Sequence, residues 1–158
     1  MAIELKVEDK IDYSKLKKLA NAQRTILVGH EGQEAEIAKK LYFGGMSESY
    51  ISPRGKKMAP RYIPARNYLT DGFLRDEDGV RAGVQSYYEG LFLGRGGQAA
   101  QTLANKIKGD IQAFVIEDNP YQESMPNAKA VIADKGFNHP LYDQGNLMKS
   151  MVGKVITE

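Results

Sequence analysis

From Val80 to Val115 the chain carries two stretches of apolar residues at helical spacing, broken once by Gly94-Arg95-Gly96-Gly97 and stopped by Asn119-Pro120. The first holds Val80, Val84, Tyr87, Tyr88 and Leu91; the second holds Ala100, Leu103, Ala104, Ile107, Ile111, Phe114 and Val115. Recurrence every three to four residues predicts helices over about 80–93 and 98–117, since proline cannot continue the second. Stripes this broad need a partner surface, and 158 residues allow one domain in which to find it. The partner is a sheet. Thr25-Ile26-Leu27-Val28, closed by Gly29, is a β-branched apolar run, and Lys154-Val155-Ile156-Thr157 is a second. The expected fold is α+β: a small, mainly antiparallel sheet with two principal helices packed on one face and a long irregular loop.

Shorter elements fill in the single domain, 1–158. Ile3, Leu5 and Val7 alternate with polar residues, as in a strand or extended arm, and Ser14 is placed to cap a brief helix carrying Leu16, Leu19 and Ala20, so 1–23 reads as an arm and short helix. A helix is expected from about Gln33 to Tyr42, stopped by Gly44-Gly45, and another from Ala128 to Asp134, closed by Gly136. Asp143 to Asn146 reads as a turn. Residues 46–79 hold Pro53, Pro60, Pro64, Gly55, Gly72 and Gly79 without sustained periodicity, and read as an extended loop. A loop of that length in a small domain usually serves a partner.

Several kinds of chemistry lack the residues they require. Without cysteine there is no disulfide, thiolate metal site or cysteine nucleophile. Two histidines far apart, His30 and His139, make a poor ligand set, and His30-Glu31 has no second histidine four residues on. No serine occupies a glycine-flanked strand-to-helix turn. The Gly94–Gly97 run precedes a helix but follows a helical pattern and lacks the Lys-Ser/Thr pair of a phosphate-binding loop, so it reads as a helix–helix connection. The expectation is a protein that is not an enzyme and takes no cofactor or metal. Neither a secretory leader nor a membrane-spanning run is expected from the sequence.

Charge is balanced overall, at +2, and one-sided in one place. Arg54, Lys56, Lys57, Arg61 and Arg66 occur without an intervening acid, with Tyr50, Tyr62 and Tyr68 close by. Cations among aromatics can follow a nucleic-acid backbone. They can equally dock on another protein, where arginine and tyrosine are enriched. Docking is the preferred reading, with Arg54, Lys56, Lys57, Arg61, Tyr62, Arg66 and Tyr68 as interface candidates; a nucleic-acid-binding module using 54–66 is the alternative.

Two segments carry a family resemblance. Tyr42-Phe43-Gly44-Gly45, followed after an insertion by Tyr62-Ile63-Pro64-Ala65-Arg66-Asn67-Tyr68-Leu69, resembles the "E-F-G … I-P-A-R-P-F-L" pattern of tailed-bacteriophage neck and virion-morphogenesis proteins. Pro126-Asn127-Ala128, then Ala133-Asp134-Lys135-Gly136, then His139-Pro140-Leu141-Tyr142-Asp143-Gln144-Gly145-Asn146-Leu147-Met148-Lys149-Ser150-Met151, resembles the same family's ending. Asn67 stands where the family has proline and Gln144 where it has threonine, and residues 46–61 run longer. The resemblance spans roughly residues 24–157.

What it implies is a tail-completion subunit: a structural virion protein, assembled in the bacterial host cytoplasm, that forms a ring at the head–tail junction. The ring is implied to be a hexamer, with twelvefold symmetry as the other option. Its neighbours would be a portal-side adaptor or stopper on one side and a tail terminator or tube on the other. DNA would pass through its channel without sequence-specific binding, and no membrane is involved.

Overall fold

A computed structural model describes Ser14 and residues 24–157. The arm and short helix expected over 1–23 therefore lie, Ser14 apart, outside the described residues. Strand β1 (Arg24–His30) leads to helix α1 (Gln33–Phe43). Four two-residue strands follow: β2 (Gly45–Met46), β3 (Tyr50–Ile51), β4 (Lys57–Met58) and β5 (Tyr62–Ile63). Then come α2 (Tyr68–Leu74), α3 (Glu77–Phe92), and α4 (Gly96–Ala113), which runs on through a π-helical turn at Phe114–Asp118. The chain finishes with α5 (Tyr121–Ser124), α6 (Lys129–Lys135), α7 (Asn146–Lys149) and β6 (Met151–Thr157).

The fold is α+β, with three small antiparallel two-stranded sheets: β1–β6, β2–β5 and β3–β4. Strands β1 and β6 pair along their whole length, from Arg24 opposite Thr157 to His30 opposite Met151. Side chains alternate across a strand, so this register turns Ile26, Val28 and Met151 toward the helices and leaves Leu27 and Ile156 outside.

Helix α4 is the hub. Ala100, Leu103, Ala104, Ile107 and Ile111 form its buried stripe, extended by Val115. It touches both strands of the main sheet and also α2 and α3. The helix ends where Asn119 takes φ 28° and returns its N–H to the Phe114 carbonyl at 2.8 Å. Core residues converge from every quarter: Ala38, Tyr68, Val80, Tyr121, Leu141, Leu147, Met148 and Met151.

Helix α3 packs chiefly on α4, and α4 carries the strands. Only Val80 of α3 is buried, while Val84 and Tyr88 are exposed. The irregular stretch is shorter than the expected 46–79, because helix begins at Tyr68. Gly72 hid it. A glycine within a short apolar run reads as a breaker, but this one permits contact: a Cβ there would sit 2.7 Å from Ile111 Cα. Helix α3 likewise starts early, at Glu77, because the Asp76 carboxylate caps it by accepting from the Gly79 N–H at 3.0 Å. Lys106 of α4 reaches the same carboxylate at 2.6 Å and fastens the two helices together.

Candidate assembly interface

The first signature folds as one unit. Helix α1 ends at Gly44, with φ 71°, where a Cβ would meet Ala65 N at 2.6 Å and the Ile63 carbonyl at 2.8 Å. Only glycine fits so close to another backbone in that conformation. The Arg66 N–H then bonds the Leu41 carbonyl at 3.0 Å, and β2 pairs with β5, placing Met46 opposite Tyr62.

Arg66 joins the two signatures. Its guanidinium is buried and donates to the Met125 carbonyl from Nη2 (2.7 Å) and Nε (3.3 Å), and to the Pro126 carbonyl at 3.4 Å. Burial lowers its pKa, and the nearby Tyr121 opposes that shift. Tyr68 is wholly buried, between His30 and Tyr42, with its hydroxyl unpartnered and its pKa raised by burial. Neither Arg66 nor Tyr68 is available to a partner, contrary to the sequence expectation. A planar fork and a large ring suit an interior with bare carbonyls as well as they suit a docking surface.

The second signature is tied to the end of α4. Buried Asn119, which precedes it, donates to the carbonyls of Val115 (3.0 Å) and of Pro140 within it (2.8 Å). His139 Nε2–H donates to Val115 at 2.8 Å. Lys135 donates to the carbonyls of His139 (2.8 Å) and Tyr142, and burial lowers its pKa. Leu141 at φ 64° and Gly145 at φ 78° turn the chain into α7. His30 and Ser150 also meet, at 2.9 Å, but the Ser150 hydroxyl donates to the Leu147 carbonyl at 2.8 Å. Its proton is already committed to the backbone. Among the described residues no group of three or more His, Asp or Glu is arranged to hold a metal ion, and no helix is long and apolar enough to cross a membrane.

The basic run is divided. Arg54 forms a two-pronged pair with Asp143, Nη2–Oδ1 at 2.8 Å and Nη1–Oδ2 at 3.0 Å, which holds the Asp143 carboxyl below the usual carboxylate range. Arg61 lies over the Tyr50 ring, 5.3 Å from its centroid. Lys56, Lys57 and Tyr62 remain at the surface. The five cations therefore do not face one partner together.

Apolar residues outside the core mark the surface more clearly. Met46 and Tyr62, cross-strand neighbours, are each 67% exposed, and Phe43 nearby is 70% exposed. On α3, Val84, Tyr88 and Phe92 form a row at four-residue spacing, with Leu93 beside it, all exposed. Sequence periodicity assigned Val84 and Tyr88 to the core. The available signal was width: at about 100° per residue, the apolar arc from Tyr87 round to Phe92 is wider than one helix can cover. No protein-family model, curated protein or solved structure matches the chain at a significant level.

Proposed function

We propose that this protein is a structural subunit of the head–tail junction of a tailed bacteriophage. Copies associate head-to-tail into a closed ring, expected to be a hexamer, which joins the head connector to the tail and leaves a channel for DNA. The observation that carries this reading is the pair of exposed apolar surfaces on different elements, Phe43/Met46/Tyr62 and Val84/Tyr88/Phe92/Leu93. A ring built by rotation needs two unlike surfaces on each subunit. Exposed apolar clusters of this kind are sites of association in proteins that otherwise cover their cores. The signature residues Gly44, Arg66 and Lys135, with Asn119 beside them, supply the rigid frame behind them: they fix backbone against backbone and have no bond chemistry to perform.

Cryo-electron microscopy of purified particles tests the placement. The expected result is density for this chain in a ring between portal and tail. Particles whose collar is complete without this chain would refute it.

A further inference from the structure

The β3–β4 hairpin forms one wall of a cleft of about 400 Å3. Ile37 and Leu41 of α1, Val131 of α6 and Leu147 of α7 line the body side, with Ile51 and Pro53 on the hairpin side. The hairpin is rigid in itself. Its strands pair Tyr50 with Met58 and Ile51 with Lys57. Its turn is knotted on Ser52, whose N–H donates to the Lys56 carbonyl and whose Oγ accepts from the N–H groups of Arg54 (3.3 Å) and Lys56 (3.2 Å).

Among the described residues, hydrogen bonds tie the hairpin to its surroundings at its base and at its tip. At the base, Ser47 and Arg61 bond each other through the Ser47 N–H (2.8 Å) and the Ser47 Oγ (3.1 Å), and Met58 is buried. At the tip, Arg54 grips Asp143. Among the described residues, every hydrogen bond from 50–58 to an element beyond the 44–67 excursion runs between Arg54 and Asp143. Their side chains keep 35% and 28% of their exposure, and Asp134 and Lys135 are the other charges acting on the pair.

We infer that this hairpin is a strap, latched by the Arg54–Asp143 pair, that closes the cleft and swings open about its base when the pair is broken. An ion pair about one-third exposed is weak and screened by salt, so the latch is reversible. With the tip contact made the hairpin has one position, and with it broken the base alone restrains the strap. The strap belongs to the fold itself, whichever assembly the subunit joins.

The absence of cysteine makes the test clean. Spin labels at Lys56→Cys on the hairpin tip and Lys149→Cys on α7 report the tip-to-body separation in the full chain by pulsed electron resonance. The parent pair is expected to show one short distance. Adding Arg54→Gln, or Asp143→Asn, should raise a longer-distance population about five-fold, and high salt should act on the parent in the same direction. Exchanging the charges, Arg54→Asp with Asp143→Arg, should restore the short distance. An unchanged single distance in both neutralised variants overturns the inference, as does a parent distribution that is already broad. Either variant suffices should the other fail to fold, and thermal melting of each distinguishes unlatching from unfolding.

Discussion

Arg66 ties the two signatures together from inside, and Tyr68 and the His30 ring beside it are equally specific about their surroundings. Arg66→Lys keeps the charge but loses the fork that reaches two successive carbonyls, Met125 and Pro126. We expect a loss of about 1–3 kcal/mol in urea unfolding with an unchanged slope; a loss within experimental error would show that the carbonyls find other donors. Tyr68→Phe should go the other way. Its hydroxyl is buried without a partner, so removing it is expected to leave stability unchanged or raise it by up to about 1 kcal/mol, and a clear destabilisation would reveal a partner for that oxygen.

His30 makes stability depend on pH. Burial holds its folded-state pKa below the ordinary value, against a smaller opposing effect from the Leu147 backbone. The unfolded chain therefore takes up the proton first as pH falls. The stability due to neutral His30 is complete above about pH 6.5 and declines from there toward the depressed folded value. The Tm should be lower near pH 5 than near pH 7, and the difference should shrink in His30→Gln; an equal difference in both proteins would assign the effect to other groups.

Among the elements, α3 bears the exposed apolar row on which the proposed assembly rests. Tyr88→Lys removes apolar area from a row that the monomer leaves uncovered. The isolated subunit should melt within about 0.5 kcal/mol of the parent, while self-association by sedimentation weakens about 30-fold or more, as when an aromatic anchor is lost. Equal association would exclude this row from the interface. Gly72→Ala should cost about 1–3 kcal/mol, since the added methyl meets the Ile111 backbone of α4 and the two helices must part.

These elements also show how far the sequence could be read. Helices α1 and α4 were legible because period and stop signal agree in each, and α6 because a helix-compatible run is closed by Gly136, which has φ 84°. Strands β1 and β6 were legible from their β-branched runs. Helix α2 was not, because Gly72 has the same letter whether it breaks a helix or admits a neighbour. The site residues divided for a related reason. Lys56, Lys57 and Tyr62 sit at the surface as composition suggests, but Arg66 and Tyr68 turned inward, and one sequence cannot tell an arginine that seeks backbone carbonyls from one that awaits a carboxylate. The exposed face of α3 was the converse error, since periodicity reports apolar residues and not which of them find cover.

At the scale of the whole molecule, a single hub helix carries a two-stranded sheet and a second helix, while the hairpin lies against α1, α6 and α7, so unlike surfaces face outward from one centre. The central ribbon joins distant parts of the chain: His30 on β1 bonds Ser150, 120 residues later, at the threshold of β6. During synthesis β1 leaves the ribosome early and waits, unpaired, for its partner. At about 5–20 residues per second the wait is on the order of ten seconds, and closing so long a loop comes late in folding. A nascent chain stalled before Met151 leaves the sheet-facing side of α4 half covered, which makes incomplete translation products natural clients for chaperones and proteases.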